Sequence, residues 1–131
     1  MTHHNPWALS ATGAKYWPSA PSPDQVKLED VARALSRICR FNGHLRADVE
    51  MHSVAHHSVL VSLACPHELA LVGLFHDAAE AYLGDPIRPI HPLMCERYWV
   101  TQKYWSAAVA RAFGLDPNLL RNIPAAVKRA D

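Results

Sequence analysis

The sequence predicts an all-α domain, a helical bundle of about five or six helices with an irregular N-terminal arm. Apolar residues recur at three- and four-residue spacing over long segments. Helix start and stop residues bracket those segments, Ser53 and Asp116 before them and Gly84 and Gly114 after them. No run alternates polar and apolar residues as a half-buried strand would.

Residues 1–23 form the arm. Pro6, Pro18, Pro21 and Pro23 break regular structure, yet Trp7, Tyr16 and Trp17 argue that the arm packs on its own domain or on a neighbouring subunit. The domain proper spans 24–131. A first helix is expected over 25–39, with Leu28, Val31, Ala32, Leu35, Ile38 and Cys39 at helical spacing and Asp24 as its cap. Residues 40–52 form a charged, histidine-rich loop. Ser53 caps a second helix on which Val54, His57, Leu60, Val61 and Ala64 share the inner face. Pro66 opens a third, apolar nearly all round, which carries His76, Asp77 and Glu80 and stops near Leu83-Gly84. After the stiff turn 84–92, a fourth helix covers about 93–113 and ends at Phe113-Gly114-Leu115. Asp116-Pro117 and Asn122-Ile123-Pro124 start two short final segments.

Composition narrows the function classes. Half of the 131 residues are hydrophobic, enough for one buried core. The net charge of +1, from 13 basic and 12 acidic residues, excludes a polybasic tail, and the lack of a basic stripe argues against nucleic-acid binding. No apolar run is long enough to cross a membrane, and Met1–Pro6 lacks the pattern of a secretory signal. Cys39, Cys65 and Cys95 are too few and too scattered for a disulfide framework, so a cytoplasmic location is expected.

Histidine is the residue out of proportion. There are nine, and all but His3 and His4 lie between residues 44 and 91. His76 and Asp77 sit side by side in an apolar helix, with Glu80 one turn on. Buried ionisable groups are costly unless they share a polar partner. A divalent metal ion meets that need, with His57 on the preceding helix as a further ligand; a network of protein groups alone is the other reading. A His, His and carboxylate set suits Mn, Co, Fe, Mg or Zn. Tyr82, on the doublet's helix near Asp85, is a candidate for contact with a nucleobase. Tyr98, Trp99, Tyr104 and Trp105 fit helix packing or a subunit interface better than base stacking, and with the arm they point to a homo-oligomer.

Four stretches carry a resemblance: Arg37–Phe41, Ser53–Ser58, Leu74–Asp85 and Lys128–Asp131. Over most of residues 28–131 the chain resembles the HD-domain metal-dependent phosphohydrolases, most closely the small bacterial and phage branch similar to 5′-deoxynucleotidases and dNTP phosphohydrolases. That resemblance implies an HD-type helical bundle, shortened after Asp131, and a hydrolase of free nucleotides, deoxynucleoside mono- or triphosphates foremost. It implies metal ligands His57, His76, Asp77 and Asp131. It gives Glu80 and Asp85 roles at the attacking water or the pocket floor, and Arg40 a role on substrate phosphate. Phe41 falls where deoxynucleotidases often carry Trp, as a wall against the sugar 2′ position. A cyclic or signalling nucleotide phosphodiesterase of the same superfamily remains an alternative, since His44, His52 and His56 are extra potential ligands. A non-catalytic metal- or nucleotide-binding protein is the other.

Overall fold

The computed structural model describes residues 5–131; His3 and His4 lie outside them. The arm is more ordered than its prolines imply. Ala8–Leu9 (β1) and Lys15–Tyr16 (β2) pair as an antiparallel hairpin, Ala8 opposite Tyr16. Strands of two residues are too short to show a period in sequence. The hairpin tip docks on the first helix: the Thr12 amide donates to Asp30 Oδ1 at 2.7 Å and its hydroxyl to Oδ2 at 3.1 Å, which satisfies a buried carboxylate.

The rest of the arm covers the core of its own domain. Trp105 is fully buried, and its indole N–H donates to the Pro18 carbonyl at 2.8 Å. Tyr82 stacks on Trp105 with ring centroids 4.0 Å apart, and Tyr16 meets Tyr82 edge-on at 5.2 Å. Trp105 therefore offers no surface for self-association. The exposed apolar side chains include Leu63 and Leu71 instead.

Seven α-helices follow, more than expected: α1 Leu28–Leu35, α2 Val54–Ala64, α3 Ala70–Phe75, α4 Glu80–Leu83, α5 Glu96–Ala112, α6 Pro117–Arg121 and α7 Ala125–Ala130. The first is shorter at both ends than expected. Asp24 lies in a separate 3₁₀ turn, Pro23–Gln25, and Lys27 occupies the cap position of α1 without a side-chain bond. The Ile38 N–H still reaches back to the Ala34 carbonyl at 3.1 Å, and beyond it the backbone pairs elsewhere. Cys39 bridges Ser53, with Arg40 N–H to the His52 carbonyl at 2.8 Å and Val54 N–H to the Ile38 carbonyl at 2.9 Å. This bridge ties off loop 40–52 at its base.

Ser53 caps α2 as expected, accepting from the His56 N–H at 3.1 Å. Val54, His57, Ser58 and Val61 form the buried face, while Leu60 is half exposed and does not belong to it. The third expected helix is split. The His67–Leu69 3₁₀ turn precedes α3, and residues 75–80 tighten into i→i+3 bonding, Ala78 N–H to Phe75 O and Glu80 N–H to Asp77 O, both at 3.0 Å. The break falls on the His-Asp doublet. Helix α5 ends as its sequence predicts, with Gly114 left-handed (φ +70°) and Leu115 N–H reaching back to the Ala110 carbonyl at 2.8 Å. Asp116 caps α6 through the Asn118 N–H at 2.9 Å.

The core joins Val31, Leu35, Val54, Val61, Val72, Trp105, Val109 and Val127. Each fully buried valine contributes roughly 1.5–3 kcal/mol. Helix α2 packs most extensively on α3, and α7 lies against both. Gly73 allows the close approach of α2 and α3: a Cβ there would stand 2.9 Å from Cys65 Sγ and 3.2 Å from Ser62 Cα. No helix among the described residues is long and apolar enough to cross a membrane.

Candidate metal centre

Three segments deliver one cluster. His57 comes from the buried face of α2, His76 and Asp77 from the tightened turn after α3, and Asp131 from the end of α7. One ligand-type atom from each lies within 4.8 Å of all the others. His57 Nε2 is 2.8 Å from Asp131 Oδ1 and 3.5 Å from Asp77 Oδ2. His76 Nε2 is 3.0 Å from Asp77 Oδ2 and 3.6 Å from Asp131 Oδ1.

The turn sets the imidazole of His76. Its Nδ1 donates to the Gly73 carbonyl at 2.7 Å, so in the neutral ring Nε2 carries the lone pair that faces the cluster. His76 Nε2 and Asp77 Oδ2 are nonetheless buried without a hydrogen-bond partner, despite their 3.0 Å separation. Two orphaned, ligand-type atoms side by side, with a second imidazole and a second carboxylate within reach, fit a shared divalent cation.

The charges of the cluster bias one another. Burial first, then the Arg40 charge, holds the His57 pKa below its ordinary value. Burial also opposes the charged form of His76, but Asp77, the Gly73 carbonyl and Asp131 outweigh it, and its pKa is raised. Burial works against ionised Asp77 too, yet His76, His57 and Arg40 hold its carboxyl below the usual range. Glu80 is the opposite case. Burial, then the negative charges of Asp77 and Asp85, push its pKa up to about 10, and its Oε2 has no partner. Glu80 stands one 3₁₀ turn after Asp77, which sets the Asp77 charge beside it.

Beside the cluster opens a cavity of about 620 Å³, within the ordinary range for small-molecule sites. Arg40, Phe41, Glu80 and Asp85 line it together with Asp77 and Asp131. Arg40 Nη1 lies 3.3 Å from Asp85 Oδ2 and 3.8 Å from Asp77 Oδ2, and its Nε is buried and unpartnered. Asp85 thus aims the guanidinium. Phe41 is half exposed, sits 5.4 Å below that guanidinium, and has a left-handed backbone (φ +58°), as does Asn42 (φ +53°). Such a conformation costs on the order of 1–3 kcal/mol for a residue with a side chain. It holds Phe41 at the cavity rim.

All the expected site residues except Tyr82 meet here. Tyr82 is two residues from Glu80 and projects from the other side of α4, into the core against Trp105, with its hydroxyl 3.5 Å from the Gln25 carbonyl. His52 stacks near Phe41 at 6.5 Å and meets His56 edge-on at 5.2 Å, outside the cluster; His44 and His67 are exposed. His91 is structural, donating from Nε2 to the Pro86 carbonyl at 2.9 Å. Two cavity residues went unrecognised in the sequence, Arg88, whose Nη2 lies 3.8 Å from Asp131 Oδ2, and Gln102 of α5; Trp99 of α5, read as helix packing or a subunit interface rather than base stacking, also lines the cavity. The turn 84–92 folds across to bring them in, and no spacing rule signals that.

The fold and the site define an all-α protein with a two-histidine, two-aspartate cluster of the kind found in metal-dependent hydrolases. No family model matches the chain. It is 34% identical over 132 residues to the uncharacterized protein RCAP_rcc00048 of Rhodobacter capsulatus, covering 95% of this chain and 67% of that protein, and it belongs to the same family. It is also 36% identical over 106 residues to the uncharacterized protein YfdR of Escherichia coli K12, covering 81% of this chain but only 57% of that protein's length.

Proposed function

We propose that the protein is an HD-type metal-dependent phosphohydrolase acting on free nucleotides, deoxynucleoside mono- or triphosphates foremost. The observation that carries this reading is the pair of orphaned atoms, His76 Nε2 and Asp77 Oδ2, inside a four-residue ligand set that opens on a cavity. His57, His76, Asp77 and Asp131 hold the metal. When bound, a divalent ion supplies a Lewis acid for a phosphoryl oxygen and lowers the pKa of water.

The chain's own groups do the rest. Arg40 binds phosphate oxygens, using the donors that Asp85 leaves free. Asp85 keeps that guanidinium from swinging away. Glu80, whose Oε2 is buried without a partner, carries a proton to or from the attacking water. Phe41 walls the sugar.

The test is a panel of deoxy- and ribonucleoside mono- and triphosphates offered to the metal-loaded protein, with phosphate and pyrophosphate release followed. Hydrolysis of deoxynucleotides that disappears in Asp77→Ala is expected. No release from any nucleotide with any of the five metals would overturn the reading.

A further inference from the structure

We propose that Trp99 and Gln102 form a nucleobase subsite in the cavity beside the metal cluster, an inference that rests on the nucleotide reading above. The cavity lining is of two chemical kinds: Asp77, Asp131 and Arg40 are charged, while Trp99 and Gln102 with Pro86 and Ile87 offer a flat ring, an amide and apolar surface. A ligand that fits both has an anionic head and a flat, largely apolar body with hydrogen-bonding edges. A nucleotide has that form.

Trp99 and Gln102 are three residues apart on α5, so both side chains leave the same face of the helix. The indole is half-buried and held from two sides: His91 leans on it at 4.5 Å and 59°, and Tyr98 meets it edge-on at 4.9 Å and 87°. His91 is itself fixed by the Pro86 carbonyl at 2.9 Å. A ring fixed before the ligand arrives loses little freedom on stacking. Trp105, one and a half turns on, is consumed by the core, so the two tryptophans of α5 have different tasks. Gln102 presents an amide with a donor beside an acceptor, which matches a base edge that offers the reverse pair. Arg88, largely exposed at the mouth and only 3.8 Å from Asp131 at its nearest, is free to follow the phosphate.

The probes are hydrolysis-resistant deoxynucleoside 5′-phosphonates of the four bases and the matching deoxyribose phosphonate without a base, titrated calorimetrically into the metal-loaded protein. The base-bearing probes should bind roughly 5- to 150-fold more tightly, the scale of one base stacked on an aromatic ring. Trp99→Ala should bring that ratio close to one, and Trp99→Phe should keep most of it. Gln102→Leu should change the ranking among the four bases, and this variant decides the matter if Trp99→Ala fails to fold. Equal affinity with and without a base in the parent, or a ratio that Trp99→Ala and Gln102→Leu leave untouched, overturns the base subsite alone. Failure of every probe to bind overturns the nucleotide reading and the subsite with it.

Discussion

His57 Nε2 and Asp131 Oδ1 stand 2.8 Å apart, which joins the buried face of α2 to the end of α7, 74 residues along the chain. Asp131 occupies the C-cap position of α7. It is held by His57 and by its own N–H, which donates to the Val127 carbonyl at 2.9 Å. The cluster therefore depends on how closely α2, α3 and α7 pack.

Gly73 is a point of close approach between α2 and α3. Gly73→Ala should destabilise the protein by about 1–3 kcal/mol, since its Cβ would meet Cys65 Sγ at 2.9 Å and the Ser62 backbone at 3.2 Å. Adding Cys65→Ala should restore part of the loss, because the nearer obstacle is then gone. Thermal melts of the three proteins check this; a Gly73→Ala protein as stable as the parent would show that the helices separate at no cost.

Glu80 makes the metal-free protein sensitive to pH. Burial and the charges of Asp77 and Asp85 keep it protonated up to about pH 10, against an ordinary value of 4.5. Between those limits the folded state holds a proton that the unfolded state has released. Stability therefore falls as pH rises, by at most about 1.4 kcal/mol per pH unit. Near or below the ordinary value both states are protonated and the effect vanishes. Glu80→Gln should flatten the slope, so that urea midpoints of variant and parent agree near pH 4 and the variant is more stable at pH 8. Parallel pH profiles would contradict this assignment.

Phe41 bears on sugar choice. A 2′-hydroxyl pressed on its ring loses water without gaining a partner, at roughly 1–3 kcal/mol, or about 5- to 150-fold in rate. Phe41→Ala should raise the ribo-to-deoxy ratio of kcat/KM by part of that factor. The ratio is the proper readout, because the Arg40 guanidinium 5.4 Å from the ring will also loosen and affect both substrates. An unchanged ratio removes Phe41 from the sugar pocket.

Much of the site was legible because local rules carry it. Helical phase put His57 rather than His56 on the inner face, and the structure buries His57 and exposes His56. Ser53, Gly114 and Asp116 act at their helix ends through the bonds their residue types imply. What escaped depends on contacts distant in sequence. The break at His76–Ala79 accompanies the His76 bond to Gly73 and the docking of α4, neither visible as a helix-breaking residue. Tyr82 looked like a site residue because it neighbours Asp85 in sequence, but the tightened turn rotates it toward Trp105. The hairpin exists because Thr12 finds Asp30, 18 residues away.

Metal content tests the central claim most directly. Parent, His76→Ala and Asp77→Ala proteins, each equilibrated with divalent metal and dialysed, are compared by elemental analysis, with circular dichroism to show that each is folded. The expected result is about one tightly held divalent ion per parent chain and none in either folded variant, since each substitution removes one of the two orphaned atoms. Equal metal content in all three proteins, or a parent that retains none, would contradict it.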